Sequence, residues 1–260
     1  MDAMEANPAG GYKYWSNRDA EQARRQSELV AADPMSTVDK INAFPKYAQK
    51  NCIARYLAHY ELFKLVMETP GSIVECGVYQ GAGVLGWAKL SSILEPNNHS
   101  RRVIGFDTFS GFPEGGEAND TARDMSSHPD MLREGAFRGG TRENIMKAAE
   151  LFDMNRHIAH IPKVELVEGD AEKTIPKYVE EHPHLVVSLL YLDFDLYGPT
   201  RAALRHFLPR MPKGAVVAFD EFHYDVYPGE TMAVADELGI GKLRLRRFGF
   251  GTVMAYAVLE

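Results

Sequence analysis

The sequence predicts an α/β fold: a mostly parallel seven-stranded sheet, covered by helices on both faces, with an antiparallel C-terminal hairpin and a helical N-terminal arm. Three observations support it. Short apolar runs alternate with stretches of helical length, as in parallel strands joined by crossover helices. The last stretch, "KLRLRRFGFGTVMAYAVL", reads instead as two strands meeting at Gly249–Gly251, which fits an antiparallel pair at one edge. Each of the five apolar strands ends in acidic residues or glycine, at the rim where open parallel sheets bind ligands.

In chain order, residues 1–15 read as flexible and "NRDAEQARRQSELVAAD" as a polar helix ended by "DPMS". From "FPKYAQKNCIARYLAHYELFKLVMETPG" a longer helix is expected. Cys52, Ile53, Tyr56, Leu57, Tyr60, Phe63 and Met67 recur on one face at steps of three or four, and "TPG" stops the helix. Residues 1–42 are therefore an arm and residues 43–260 the main domain. There, "SIVECGV", "RRVIGFDTF", "KVELVEGD", "VVSLLYLDFD" and "GAVVAFDEF" are strands. The intervening helices are "GAGVLGWAKLSSIL", "TRENIMKAAELFDM", "AEKTIPKYVEEH" and "GPTRAALRHFLPRM", and "GETMAVADELG" follows the fifth strand. Residues 113–140, rich in Gly, Asp, Arg and Ser, form a connection long enough to be a lid or substrate loop.

Bulk properties exclude several classes. The 260 residues suit one large domain with an added arm, and a net charge of −7 argues against a nucleic-acid partner held on a basic surface. The basic cluster "KLRLRRFGF" alternates with apolar residues and reads as a half-exposed strand. Cys52 and Cys76 fit no metal or redox spacing and are expected to be buried free thiols of a reducing compartment. The start "MDAMEANPAGGYKYW" has no signal-peptide pattern, and no apolar run approaches the roughly 18 residues of a membrane span. A cytoplasmic protein with no membrane partner is expected.

The strand ends carry the chemistry. "VECGVYQGAG" places Glu75 before Gly77, Gly81 and Gly83. The glycines let backbone approach a ligand, while the acid repels a pyrophosphate and suits an ammonium or sulfonium group. Asp107 in "GFDTFSGFP" accepts ribose hydroxyls or caps the next turn, with Phe109 and Ser110 beside the same ligand. Asp170 in "EGDA" accepts from an adenine amino group or is the N-cap of the next helix. The fourth and fifth strands deliver Asp193, Asp195, Asp220 and Glu221 to one rim, with no Lys or Arg beside them in sequence before Arg201. Unpaired, these carboxylates repel, and a divalent cation such as Mg²⁺ held by Asp193, Asp220 and Glu221 answers that repulsion.

These strings together resemble the S-adenosylmethionine site of Rossmann-like class I methyltransferases. More narrowly, "VECGVYQGAG", "GFDTFSGFP", "LDFDLYGPT" and "FDEF" resemble the macrocin O-methyltransferase (TylF/MycF) family over residues 43–260. That family comprises metal-dependent enzymes that methylate sugar hydroxyls on antibiotics and related natural products. The resemblance implies that Glu75, Gly77, Val78, Gly81, Asp107, Thr108, Phe109, Ser110, Gly169, Asp170, Ala171 and Asp193 hold S-adenosylmethionine. It likewise implies Asp193, Asp220 and Glu221 as metal ligands, and Asp193 or Asp195 stands where a base would take the hydroxyl proton, directly or through water. The family usually has two aspartates where this chain has Asp220-Glu221, and a glycine where it has Phe194. Leu196 stands where related catechol enzymes carry a lysine base.

The expected activity is Mg²⁺-dependent O-methylation of a deoxysugar in a small glycosylated natural product, by a homo-oligomer whose arm covers a neighbour's site. Alternatives are methylation of a catechol-like phenol, non-catalytic S-adenosylmethionine binding, and a nicotinamide oxidoreductase, which lacks its GxGxxG. His223 is a second base candidate. Tyr224 and Tyr227 are pocket candidates, as is Tyr47, which fits plain helix packing better, and His157 and His160 read as surface residues.

Overall fold

The structure, a computed structural model, describes residues 17–113, 134–250 and 253–260. The expected flexible start, most of the 113–140 loop and Gly251 of the hairpin turn lie outside the described residues. The chain divides into two compact units, Met1–Ala54 and Arg55–Glu260.

In the first unit, α1 (Asn17–Ala32) is the expected polar helix. Two short helices follow, α2 (Thr37–Asn42), capped by the Ser36 side chain on the Asp39 N–H, and α3 (Phe44–Tyr47). The single helix expected from residue 44 onward is thus broken. Pro45 sits in the first turn of α3, where a missing N–H costs nothing, and Ala48 is extended at ψ 142° before α4 (Lys50–Val66) begins. Tyr47 is buried within the first unit, its hydroxyl 2.8 Å from Asp33 Oδ2, which matches the packing reading.

The second unit holds the sheet, in the order β3-β2-β1-β4-β5-β7-β6. The strands are β1 (Ser72–Cys76), β2 (Val103–Asp107), β3 (Val164–Glu168), β4 (Val187–Leu192), β5 (Val216–Phe219), β6 (Arg246–Arg247) and β7 (Ala255–Val258). The first five pair in parallel, while β7 runs antiparallel to both β5 and β6. The "KLRLRRFGF" segment contributes only the two exposed residues of β6, and a 3₁₀ turn occupies Ile240–Lys242. The crossover helices are α5 (Ala82–Leu94), α6 (Arg142–Asp153), α7 (Ala171–Glu181) and α8 (Tyr197–Phe207), with α9 (Gly229–Glu237) between β5 and β6. No helix among the described residues is long and apolar enough to cross a membrane.

Strand alternation sends side chains to two cores. Ile73, Leu189, Tyr191, Val216 and Ala218 pack with α4, α5 and α6. Val74, Cys76, Leu190, Leu192, Val217 and Phe219 pack with α7, α8 and α9. The face of α4 that meets the first core is Ala58, His59, Leu62, Phe63 and Val66. Of the face expected from periodicity only Phe63 is buried, while Tyr56, Leu57 and Met67 are exposed. The helix is apolar on two sides, so spacing alone names no unique inner stripe. Cys52 is exposed, contrary to expectation, and Cys76 is buried.

Arg101 clamps the amino ends of the strands. It is 2% exposed, and its donors reach Glu95 Oε1 (2.8 Å), Gly71 O (3.0 Å), Ser188 Oγ (2.5 Å), Val66 O (3.0 Å) and Thr69 O (3.0 Å). All five guanidinium N–H groups thus have acceptors, the condition under which a buried charge is tolerated. Arg101→Met orphans these acceptors together with the Glu95 charge. It is expected to lower stability by about 3–5 kcal/mol in urea unfolding; a loss under about 1 kcal/mol would show that the clamp contributes no more than a surface pair.

Candidate active site

The site begins where β1 and β4 leave the sheet. Gly77, at φ 95°, brings its backbone so close to β4 that an added Cβ would overlap the Asp193 carbonyl oxygen and lie 2.7 Å from its carbon. Only glycine serves there. Gly81, at φ 83°, is the N-cap of α5 and supplies no side-chain cap, leaving that helix terminus open to an anionic group. Asp107 organises the turn from the end of β2: Oδ2 accepts from the N–H groups of Val78 (2.7 Å) and Tyr79 (2.9 Å), and Oδ1 from Phe109 (2.7 Å). The turn-capping reading of Asp107 therefore holds. A carboxylate has about four lone-pair sites, so one remains for a ligand hydroxyl.

The other residues named for the cofactor are distributed around this turn. Val78 is buried in the core, and its N–H and C=O are both engaged within the turn. Thr108 Oγ1 donates to Gly111 O and accepts from the Ser110 N–H (3.3 Å), while Ser110 itself is exposed. Gly169, at φ 130°, donates its N–H to Asp107 O (2.9 Å). Asp170 is the N-cap of α7, accepting from Glu172 N–H (3.0 Å), and pairs with Lys173 at 2.8 Å. Ala171 is buried in the first turn of α7.

Glu75 is enclosed beneath the first turn of α5 and is only 3% exposed. A Cβ on Gly83 would overlap its carboxylate oxygens, so glycine there makes room for the acid. Burial pushes the Glu75 carboxyl up to about 8, against the pull of the Arg55 charge. Its Oε2 and the adjacent Trp87 Nε1 lack hydrogen-bond partners.

The acidic rim lies beside this turn. Asp193, Asp195 and Glu221 each offer a carboxylate oxygen within 4.8 Å of the others. Asp220, named as a metal ligand from sequence, takes a bond from the Tyr191 hydroxyl and an ion pair from Arg55 at 2.9 Å. Arg55 also pairs with Asp193. The absence of a nearby cation in sequence is thus corrected in space, because α4 brings Arg55 across from 138 residues away. Glu230, fully buried in α9, accepts from the backbone N–H groups of Glu221 (3.3 Å) and Asp195 and so ties the ends of β4 and β5 together.

Burial, followed by neighbouring negative charge, pushes Glu221 and Glu230 well above the usual carboxylate range. Burial also raises Asp193, with the Arg55 charge opposing it. His59 supports Tyr191 from beneath, its ring 4.8 Å away and stacked on Trp87, and burial pushes it down to about 3, so the wedge is neutral.

Arg55, Tyr191 and Glu230 are the residues that sequence reasoning missed. Two of them left a signal. Glu230 lies three and four residues before the buried Ala233 and Val234, and Arg55 stands in the same relation to Ala58 and His59. A charge on the inner stripe of a helix must find a partner.

Aromatic rings line the approach. Tyr79 packs edge-on to Phe137 (6.4 Å), and Phe137 meets Phe112 (5.4 Å) and Tyr227 (5.9 Å), with Tyr224 next to Tyr227 (6.0 Å). Phe112 and Phe137 stand on the two stems of the expected lid, paired through Phe112 N–H to Ala136 O (2.9 Å). His223 is exposed at φ 60°, and His157 and His160 are exposed as expected.

The residues fit both groups expected here. An all-oxygen donor set with the partnerless Glu221 Oε2, faced by Arg55, is short of positive charge and suits a hard divalent cation. The glycine turn, the open α5 terminus and the spare acceptor site on Asp107 suit an amino-acid-bearing nucleoside.

The family model for macrocin-O-methyltransferase (TylF) matches residues 51–236. A solved structure of CalS11, a calicheamicin methyltransferase, is 31% identical with a TM-score of 0.86, covering 94% of each chain. An apo structure of CalS11, described as a TDP-rhamnose 3'-O-methyltransferase, is 30% identical with a TM-score of 0.77, covering 94% of this chain and 96% of that one. A Streptomyces olivaceus protein named 8-demethyl-8-(2,3-dimethoxy-alpha-L-rhamnosyl)-tetracenomycin-C 4'-O-methyltransferase is 27% identical over 158 residues. That match spans 60% of this chain and 54% of the relative's length.

A pH test follows from Glu75. Burial holds its carboxyl at about 8 against an ordinary 4.5, so between these values the folded state holds a proton that the unfolded state has lost. Stability then falls as pH rises through that window, by at most about 1.4 kcal/mol per pH unit from this group. Glu75→Gln mimics the protonated acid and is expected to remove that slope from a series of denaturation curves. Parallel wild-type and variant curves would mean that Glu75 is ionised in the folded protein.

Proposed function

The chain belongs to the macrocin-O-methyltransferase (TylF) family, and on that premise we propose that it is an S-adenosylmethionine-dependent O-methyltransferase acting on a sugar hydroxyl of a glycosylated natural product, with Mg²⁺ at its acidic rim. The observation that carries this reading is the juxtaposition of the Gly77 turn with Asp193, Asp195 and Glu221, because Asp193 belongs to both. The names of the relatives support a deoxysugar acceptor, since they specify a rhamnosyl tetracenomycin and TDP-rhamnose.

In this reading Glu75, Gly77, Val78, Gly81, Asp107, Thr108, Phe109, Ser110, Gly169, Asp170 and Ala171 surround the cofactor. Asp107 offers its spare acceptor site to the ribose, and Glu75 lies beneath, where a ligand's positive charge would favour loss of the proton that burial keeps on it. Asp193, Asp220 and Glu221, with Asp195 close by, would hold the cation, which would supply Lewis acidity to the substrate hydroxyls. Methyl transfer from a sulfonium needs chiefly alignment, at about 3–3.5 Å, and removal of one proton. Asp193 or Asp195 takes that proton, and Leu196 leaves no lysine to do so. Tyr79, Phe137 and Tyr227, packed edge to edge, offer rings to the acceptor.

The test is methyl transfer to TDP-rhamnose and rhamnosylated polyketides, followed by mass spectrometry, with Mg²⁺ and with EDTA. Transfer is expected with Mg²⁺ only, and Asp193→Ala should lower turnover by about 10²–10⁴-fold while S-adenosylhomocysteine still binds. Transfer undiminished by EDTA removes the metal from this reading, and failure to bind S-adenosylhomocysteine removes the cofactor. Homo-oligomerisation through the arm is part of the proposal. Sedimentation of a chain lacking residues 1–42 should show a smaller species, and an unchanged oligomer rules the arm out.

A further inference from the structure

Arg55 sits on the inner stripe of α4, one turn before Ala58 and His59, yet its side chain is 45% exposed. A single nitrogen, Nη2, makes its contacts at the rim: to Asp193, to Asp220 Oδ2 at 2.9 Å and to the Tyr191 hydroxyl at 3.5 Å. The planar guanidinium can grip one carboxylate with two parallel bonds, and here it does not. It instead inserts one N–H corner between two acids on adjacent strands, the place a small cation bridging them would take. Asp193 and Asp220 are both named for the metal; Arg55 holds one oxygen of each and the Tyr191 hydroxyl holds the other oxygen of Asp220, so a divalent ion reaches them only against the guanidinium charge. Arg55 cannot lose its proton to ease the conflict. With its side chain partly open to solvent, it can turn outward instead.

We propose that Arg55 is a built-in stand-in cation: it neutralises Asp193 and Asp220 before the metal arrives, competes with the metal for them, and is displaced outward on metal binding. This rests on the metal-dependent reading above. The competition sets a threshold, so that a weakly held or scarce divalent cation does not occupy the rim. The displaced guanidinium is then on the acceptor side of the site, where an anionic or hydroxyl-rich substrate meets it.

The experiment is Mn²⁺ titration of the full chain without substrate, read by calorimetry and by the electron paramagnetic resonance of free Mn²⁺. Arg55→Gln removes the competing charge and is expected to bind Mn²⁺ at least about tenfold more tightly than wild type. Arg55→Lys keeps the charge and should stay within about threefold of wild type. A second measurement needs no variant: Mn²⁺ should speed modification of Arg55 by phenylglyoxal several-fold in the wild-type chain, read by peptide mass. Equal or weaker Mn²⁺ binding by Arg55→Gln, or protection of Arg55 by Mn²⁺, overturns the proposal and makes Arg55 an organiser of the carboxylates, with the metal reading intact. Absence of Mn²⁺ binding by wild type and both variants overturns the metal reading and this inference with it.

Discussion

Repulsion among the carboxylates at the ends of β4 and β5 is the constraint around which the second unit is arranged. Asp193, Asp195, Asp220, Glu221 and Glu230 converge where burial already penalises charge. Three devices make this tolerable. Glu230 takes N–H groups from both strand ends, the Tyr191 hydroxyl serves Asp220, and Arg55 spans Asp193 and Asp220. Each holds part of the charge in place, and none removes it. The compensation is incomplete, because Glu221 Oε2 and Glu230 Oε1 keep no hydrogen-bond partner.

The two rims of the sheet differ in kind. At the amino ends, Arg101 is buried with an acceptor for each of its donors. At the carboxyl ends, Glu75 Oε2, Glu221 Oε2 and Glu230 Oε1 are buried without partners. A satisfied buried charge such as Arg101 fixes the fold at its rim, whereas each unpartnered carboxylate oxygen at the other rim keeps its desolvation cost. Both rims are built from parallel strands of one sheet, so the contrast lies in the side chains and not in the architecture.

Asp107 and Gly77 show how the cofactor side is prepared in advance. Three backbone N–H groups converge on Asp107 before any ligand is present, and the Gly77 backbone touches that of Asp193. The turn after β1 and the end of β4 are therefore fixed relative to each other.

The sequence by itself determined seven strands, a parallel sheet closed by an antiparallel hairpin, and the acids and glycines of the rim, while the order of the strands in the sheet came from the structure. These depend on local patterns: apolar runs of strand length, and residue types that only make sense at a strand end. It left two readings open at Asp107 and Asp170, because a carboxylate that caps a turn and one that holds a ligand look alike in one dimension. The inner face of α4 was not legible, since a helix apolar on two sides shows no unique stripe, and with it Arg55 was lost. Only the tertiary structure decided that a cation from α4 meets the acids of β4 and β5, that Glu230 joins them, and that Tyr191 reaches Asp220. Electrostatic partners are chosen by proximity in space, and a parallel sheet joins residues that the chain keeps far apart.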